Sequence, residues 1–169
     1  MVRTPWLICM LFALTLSACG FHLREQATFA LPFQSLYVKA ASNYSPFIIE
    51  LKQAVVMNGT QVEESPETAQ VTLEIVSEVA DKQILSLSGA GRVREYRLQY
   101  RVSLRLVDSQ QKEWLPPSNI VLHRDYSYDD TQLLAKEKEE ALLNQDMRTE
   151  AVQQILRRLN HAKAPQPAE

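Results

Sequence analysis

The strictest pattern in this sequence is a two-residue alternation that runs from Tyr96 to Leu106. Apolar residues occupy one set of alternate positions and polar residues the other: Tyr96, Leu98, Tyr100, Val102, Leu104 and Leu106 against Arg97, Gln99, Arg101, Ser103 and Arg105. Successive side chains of a β-strand point to opposite faces, so this run forms a strand with one buried face and one wet face. It predicts a sheet whose open face carries Arg97, Arg101 and Arg105.

Two helices are predicted from their end signals. Ser45-Pro46 begins the first helix, because Ser accepts a hydrogen bond at the N-cap and Pro suits the first helical position. Apolar residues follow at helical spacing, and Asn58-Gly59 ends the helix. The second helix starts near Asp129, where acidic side chains suit the helix dipole, and it runs to about Leu159.

Four strands complete the predicted domain, at residues 35–40, 71 to about 84, 96–106 and 120–127. The segment 60–69, with Pro66, is interpreted as a loop, and the segment 108–118, with Pro116-Pro117, as a turn. The order β-α-β-β-β-α predicts an α+β fold in two layers. A four-stranded, mostly antiparallel mixed sheet carries two helices on one face.

The first 18 residues predict a lipoprotein signal peptide. Arg3 precedes an apolar run from Trp6 to Leu16, which is shorter than the roughly 20 residues of a membrane span. The following Leu16-Ser17-Ala18-Cys19 resembles a bacterial lipobox, in which the cysteine becomes the first mature residue and receives diacylglyceryl and N-acyl chains. A buried N-terminal helix, or a plain signal peptide with an incidental cysteine, are the alternatives.

A lipidated Cys19 predicts a protein anchored to a membrane by its acyl chains. Gly20 stands where lipoproteins retained at the inner membrane usually have Asp, so the expected location is the periplasmic side of the outer membrane. The predicted organisation is a signal peptide at 1–18, a lipid-anchored leader at 19–33, one α+β domain at 34–160 and a disordered tail at 161–169.

Composition and chemistry exclude several classes of protein. The chain has 18 Lys and Arg against 20 Asp and Glu, so it lacks the basic surface that nucleic-acid binding needs. Two Cys and three His are too few for a zinc module, and no metal or cofactor is predicted. No histidine has a nucleophile beside it, and Glu137, Glu139 and Glu140 are interpreted as a solvated helix face. The chain is therefore not predicted to be an enzyme.

Basic residues are predicted to gather at one end of the domain. Lys82, Arg92 and Arg94 flank the turn at 86–91, and the topology brings this turn toward Lys136 in the second helix. Arg124 is a weaker candidate at the same end. Such a cluster suits the phosphates of a phosphorylated lipid, because Arg supplies paired donors and Lys a point charge. Spacing alone favours the plainer alternative, that these charges only keep the surface soluble.

Several short segments, taken in order, resemble the LptE family of lipopolysaccharide-assembly lipoproteins. They are Cys19-Gly20-Phe21-His22-Leu23-Arg24, Val56-Met57-Asn58-Gly59, Arg94-Glu95-Tyr96-Arg97-Leu98 and Leu134-Ala135-Lys136-Glu137, which continues into 147–159. The resemblance implies a lipoprotein that sits in the lumen of the β-barrel LptD, helps that barrel assemble and binds lipopolysaccharide. It makes Cys19 the lipidation site, and Lys136 with Arg92 the candidates for binding lipopolysaccharide.

Two other functions compete with this interpretation. A periplasmic carrier of lipid or lipoprotein would bind acyl chains in a cavity of its own, and a compact two-layer core leaves little room for one. A periplasmic hydrolase is disfavoured, because no nucleophile is paired with a base.

Overall fold

A computed structural model describes residues 31–165, and the predicted signal peptide and Cys19 lie outside them. The elements are β1 (Ser35–Lys39), α1 (Pro46–Met57), β2 (Gln61–Glu63), β3 (Val71–Leu87), β4 (Val93–Asp108), β5 (Glu113–Ser127), a 3-10 turn (Asp130–Gln132) and α2 (Leu133–Asn160). The strands form one sheet in the order β2-β1-β3-β4-β5. β1 is parallel to both of its neighbours, and the other pairs are antiparallel. The α+β class is confirmed, but the sheet has five strands and not four.

The additional strand, β2, lies in the segment predicted as a loop. Its three residues pair with β1, from Ser35 opposite Gln61 to Tyr37 opposite Glu63. The amide of Gln61 also donates to the carbonyl of Gln34 at 2.9 Å. Three residues are too few to show an alternation, and the sequence therefore does not predict this strand. The strand forms because α1 returns the chain alongside β1.

The prediction of a turn over 108–118 was wrong for its second half, because β5 already begins at Glu113. The ladder between β4 and β5 shifts register on both sides of Leu106, close to where Pro116 and Pro117 lie. β5 is the outermost strand, and an edge strand tolerates proline because half of its amides need no partner. The turn itself is tight, with the Asp108 carboxylate accepting from the amides of Gln110 and Lys112 at 2.8 and 2.9 Å.

The first helix forms as its end signals predict. The Ser45 hydroxyl accepts a hydrogen bond from the Ile48 amide at 3.2 Å, and Pro46 opens the helix. At the other end Gly59 adopts φ 81°, a left-handed conformation that suits glycine. α1 thus makes the crossover between the parallel strands β1 and β2.

The core lies between the helices and one face of the sheet. The alternation in β4 is confirmed, since its even-numbered apolar residues from Leu98 to Leu106 are all buried. Above them pack five residues of α1 (Phe47, Ile48, Leu51, Ala54 and Val55) and six of α2 (Met147, Ala151, Val152, Ile155, Leu156 and Leu159). Phe33 and Ala162, which the predicted domain 34–160 leaves out, are both buried in this core.

The opposite, open face of the sheet carries a ladder of ion pairs. Each of the three arginines predicted there meets a carboxylate on a neighbouring strand: Arg97 with Asp125 at 2.7 Å, Arg101 with Asp81 at 2.5 Å, and Arg105 with Glu74 at 2.5 Å. Lys39 of β1 also binds Glu74, at 3.0 Å. The open face is therefore polar, and each of these four cations has a carboxylate partner.

Replacing Glu74 with Gln is expected to lower the free energy of unfolding by about 1–2 kcal/mol near neutral pH, because two cations lose a buried partner. Hydrogen bonds from Arg105 and then Lys39 hold the pKa of Glu74 below its ordinary value, against the opposing effect of burial. A carboxylate whose pKa is lowered by folding stabilises the folded protein at any pH above its ordinary pKa. This stabilisation is lost as the pH falls through the pKa of the carboxylate in the folded protein.

Urea unfolding of the protein and of Glu74→Gln, near pH 7 and in acid, checks this expectation. The difference between the two proteins should shrink in acid. Glu113→Gln, at an exposed carboxylate without an ion pair among residues 31–165, is the matched control. Equal effects of the two substitutions near pH 7 would contradict the assignment.

Candidate functional site

The turn between β3 and β4 is ordered by its own hydrogen bonds. The Ser88 amide donates to the Arg92 carbonyl at 2.7 Å, and the Ser88 hydroxyl accepts from the Arg92 amide at 3.1 Å. Gly91 adopts φ 76°, which closes the turn. These contacts place Arg92 immediately before β4.

The start of α2 lies beside this turn. The Tyr128 amide donates to the Arg94 carbonyl at 2.7 Å, which ties the end of β5 to β4. The chain then enters a 3-10 turn, in which the Asp129 carboxylate accepts from the Thr131 amide at 2.9 Å. Asp129 therefore caps a 3-10 turn rather than α2 itself, and it directs α2 back across the sheet.

Four of the five predicted cations belong to segments at this end of the molecule, and we name Lys82, Arg92, Arg94 and Lys136 the tip cluster. Arg92 lies 3.6 Å from Asp130 of the 3-10 turn. Lys136 binds the Ser127 hydroxyl at 3.3 Å and Glu139 at 2.8 Å. Lys82 binds Glu140, one helical turn beyond Lys136. The topological expectation that separate segments bring these cations to one end is thus met.

Arg124 lies outside the tip cluster. Its guanidinium binds Asp146 and Glu150 of α2, each at 2.7 Å, and these hydrogen bonds raise its pKa. Asp146 lies ten residues beyond Lys136, which is about 15 Å along a helix. Arg124 therefore links β5 to α2, and it is not one of the cations of the tip cluster.

The cations of the tip cluster differ in how freely they can bind an anion. Arg94 is exposed and has no carboxylate partner among residues 31–165. Arg92, whose side chain is 77% exposed, has only a long pair with an exposed Asp130. Exposed pairs of this kind are weak, so a ligand anion can displace Asp130. The Lys136 side chain is only 15% exposed, and its ammonium is held by Glu139.

Lys82 and Glu140 belong to a polar contact that holds the first half of α2 to the sheet, and we name it the latch. Glu140 accepts hydrogen bonds from Lys82 at 2.5 Å and from the Tyr126 hydroxyl at 2.7 Å. The Lys82 ammonium also lies 4.2 Å from the centre of the Tyr96 ring, which stacks on Tyr126. The latch thus joins β3, β4 and β5 to α2.

Charge pairing in the latch outweighs burial in setting the pKa values. Burial alone would lower the pKa of Lys82, but hydrogen bonds to Glu140 and Tyr126 raise it overall. Burial alone would raise the pKa of Glu140, but hydrogen bonds from Lys82 and Tyr126 lower it overall. The ion pair is therefore fully charged around neutral pH, and acid breaks it by protonating Glu140.

Apolar side chains are exposed at the same end of the molecule. Leu134 in the first turn of α2 is 75% exposed, and Leu133 beside it is also exposed. On β3, Ile84 and Leu87 are exposed near the turn. The tip therefore offers hydrophobic surface and cations together, which is the combination that an amphiphilic anion needs.

A family model for LptE, described as lipopolysaccharide-assembly, matches residues 33–159. This chain belongs to the LptE family. Similar relatives include the LPS-assembly lipoprotein LptE of Photorhabdus laumondii, 23% identical over 93% of this chain and 85% of the relative. The protein of the same name from Yersinia pestis is 26% identical over 93% of this chain and 75% of the relative. The family resemblance in the sequence is confirmed, and with it a role in lipopolysaccharide assembly.

Solved structures of lipoproteins share the fold of this LptE-family chain. Uncharacterized lipoprotein B from Nitrosomonas europaea has a TM-score of 0.72 and 38% identity, covering 83% of this chain and 90% of that structure. Rare lipoprotein B from Shewanella oneidensis has a TM-score of 0.64 and 27% identity, covering 73% and 91%. Among residues 31–165, neither helix has the length and apolar character needed to cross a membrane.

The sequence analysis missed the latch, because it interpreted Glu140 as part of a solvated run of acids. Glu137 is exposed as expected, but Glu140 is half-buried. The available signal was helical spacing, since Glu140 shares a face with Lys136, Leu143 and the buried Met147. The sequence places Tyr126 in a strand, but the pattern of that strand does not show that the Tyr126 hydroxyl donates to a carboxylate of α2.

We expect Glu140→Gln to loosen the first half of α2 in this LptE-family protein. No residue of α2 before Met147 is fully buried, and only Leu143 of that half packs partly against the core among its apolar residues, so polar contacts hold most of that half, whereas apolar packing holds the second. Hydrogen–deuterium exchange should rise several-fold over residues 133–146 and stay nearly unchanged over residues 147–160. Glu137→Gln is the control, because it removes the same charge from the same helix. Equal exchange in the two variants would show that the latch does not hold this half.

Proposed function

We propose that this chain is an outer-membrane lipoprotein that plugs and helps to assemble the LptD β-barrel and binds lipopolysaccharide on its way to the outer leaflet. Family membership supports the general role. The observation that carries the binding function is the tip, where Arg92 and Arg94 lie at the same end as exposed leucines. Lipopolysaccharide presents the matching chemistry, phosphates next to acyl chains.

The tip would act by competing for phosphate. Lipopolysaccharide molecules aggregate through divalent cations that bridge their phosphates. Within the described part of the chain Arg94 has no competing carboxylate, and Arg92 has only a weak contact to exchange. Charge-assisted hydrogen bonds from these side chains would replace the bridging ions and separate the molecules without an energy source.

The open face of the sheet supports the plug. The lumen of a large barrel is wet and polar, and a sheet face that met it would need polar side chains. The ladder from Arg97 to Arg105 supplies such a face with its charges already paired. This face can meet a polar wall without leaving a buried charge unpaired.

The anchor in this proposal is Cys19, which lies outside the described residues. Several acyl chains on one cysteine hold a protein to a membrane far more durably than one, at roughly 0.8 kcal/mol per buried methylene group. The chain needs no catalytic group for any of these roles, so the proposal is a structural and binding component rather than an enzyme.

The geometry gives less support to a carrier of acyl chains. A depression of about 560 Å³ is lined by Leu31, Pro32, Phe33, Gln34 and Gln70. It is open to solvent, and two of its lining residues are glutamines. It does not offer the enclosed apolar space that a lipid carrier needs.

The variant Arg92→Asp/Lys136→Asp is expected to bind purified lipopolysaccharide at least tenfold more weakly while keeping its fold, since it removes two charge-assisted contacts of about 1.5 kcal/mol or more each. Binding is measured by surface plasmon resonance and folding by circular dichroism. Lys112→Asp/Lys163→Asp makes the same change in net charge at two exposed lysines away from the tip and should bind nearly as well as the unaltered protein. If both variants fold and bind lipopolysaccharide with equal affinity, the assignment of the tip as the binding site is wrong.

A mild-detergent pull-down of the tagged, full-length protein tests the barrel partner. We expect a large outer-membrane barrel at near one-to-one stoichiometry, identified by mass. A clean monomer would contradict the plug, and a soluble lipoprotein cargo would favour the carrier.

A further inference from the structure

The end of the domain opposite the tip is where the predicted leader joins it. Leu31 is the first residue that the structure describes, and the Phe33 ring packs edge-on against Trp114 near the start of β5, with 6.2 Å between the ring centres. The turn between β4 and β5 lies at this end as well, because Asp108 pairs with Val71, the first residue of β3. We name this end of the domain the leader end.

The domain is too long to lie wholly within a membrane. β3 has 17 residues and α2 has 28, which correspond to about 56 Å and 42 Å at the usual rise per residue. A bilayer is about 40–45 Å thick with its headgroups, and the apolar band of an outer-membrane barrel is about 25 Å tall. If the tip lies in the barrel lumen, as in the proposed function, the leader end reaches the level of the periplasmic headgroups.

The predicted anchor would hold the leader end beside the same leaflet. Leu31 lies twelve residues after Cys19, so the connection spans at most about 43 Å even when it is fully extended. A tether of this length keeps the leader end at a high effective concentration near the lipid headgroups. Even a weak contact between the leader end and these headgroups would therefore form.

Exposed cations collect at the leader end. The last part of α2 and the residues that follow it, 151–165, contain Arg157, Arg158 and Lys163 but no Asp or Glu. Arg157 and Lys163 are exposed, and so is Lys112 in the turn between β4 and β5. None of these three exposed cations has an ion pair among residues 31–165. We name Lys112, Arg157, Arg158 and Lys163 the basic patch.

The fourth cation of the basic patch, Arg158, is fixed by neutral partners. Its guanidinium donates to the Ser118 hydroxyl at 2.9 Å and to the Asn119 carbonyl at 3.0 Å. Cations in the last turn of a helix also suit the helix dipole, but Lys112 and Lys163 lie outside α2. The helix dipole therefore does not account for the basic patch.

Acidic residues offset the basic patch only in part. Asp108 and Glu113 flank the same turn as Lys112, so they balance two of the four positive charges. The acids in the segment 63–67 lie beside β2, and four strand spacings, or about 19 Å, separate β2 from β5. This separation exceeds the screening length of about 8 Å at physiological ionic strength. The basic patch therefore keeps a positive potential at the β5 edge of the leader end.

The basic patch differs in character from the tip. Residues 151–165 expose no large apolar side chain, whereas Leu133 and Leu134 are exposed at the tip. A surface of this kind suits contact with charged headgroups without insertion into the acyl chains.

We propose that the basic patch binds anionic phospholipid headgroups in the periplasmic leaflet, the leaflet into which the acyl chains of Cys19 would insert. Cations beside a membrane are attracted by its negative surface potential, and an acyl anchor with a basic patch holds a protein more firmly than either alone. The contact points the tip away from this leaflet and leaves the one-to-one barrel partner in place. This inference rests on the anchor in the proposed function.

Fluorescence energy transfer from the lipidated full-length protein to the vesicle surface tests this contact. The protein is reconstituted in vesicles of phosphatidylcholine, with or without about one quarter phosphatidylglycerol. A fluorophore on Ala164→Cys, next to Lys163, reports on an acceptor attached to the lipid headgroups. We expect roughly twofold more transfer with phosphatidylglycerol, and most of this rise should be lost in about 0.5 M salt. A fluorophore on Gly89→Cys, in the turn at the tip, should show no rise.

A pair of matched variants assigns the effect to the basic patch. Arg157→Gln/Lys163→Gln should lose most of the rise in transfer. Lys52→Gln/Lys138→Gln removes the same charge outside the leader end, at lysines without an ion pair among residues 31–165, and should keep the rise. Equal transfer in the two variants, or with and without phosphatidylglycerol, would overturn the inference.

Two further outcomes separate this inference from its alternatives. Lipopolysaccharide also presents phosphates, so a rise with lipopolysaccharide but not with phosphatidylglycerol would assign the basic patch to lipopolysaccharide and overturn the proposal. Protein that washes off the vesicles in high salt would contradict the anchor of the proposed function, and this inference with it. Protein that stays anchored without responding to phosphatidylglycerol would overturn this inference alone.

Discussion

The burial of one face of β4 beneath the two helices is the constraint on which the rest of this structure depends. A shift of the strand by a single residue would carry Leu98, Val102 and Leu106 out to water and bury arginines in their place. The register of β4 therefore also fixes its neighbours, β3 and β5. The ion-pair ladder of the open face follows from the same register, since each arginine reaches a carboxylate only because the strands are aligned this way.

The helices cover only part of the hairpin formed by β3 and β4, and this gives the molecule two regions of different character. In one region α1 and the second half of α2 pack apolar side chains on the sheet. In the other, the first half of α2 is held by Lys136, by the latch around Glu140 and by Arg124. Polar contacts of this kind open more readily than an apolar core. The cations of the tip cluster lie in the more easily opened region.

The sequence predicts well those features that one segment determines alone. The alternation in β4, the caps of α1 and the position of the cationic turn each depend on a short run of residues, and each is found in the structure. Prediction from the sequence fails where tertiary contacts determine the conformation of a segment or the role of a residue. β2 forms only because β1 lies beside it, and Pro116 is tolerated only because β5 is at an edge. Glu140 and Arg124 take their roles from partners on distant segments, which no local pattern reveals.

The charge balance at the tip bears on how such a site could release its ligand. Arg92 faces Asp130 and Lys136 faces Glu139, so a bound anion would compete with carboxylates that return when it leaves. Unpaired buried cations would hold a phosphate more tightly and would slow its departure. A protein that passes a lipid onward needs an affinity that favours entry and still permits exit. In the proposed function, exposed and partly paired cations beside exposed leucines would give that intermediate affinity, whereas a preformed and fully basic pocket would act as a trap.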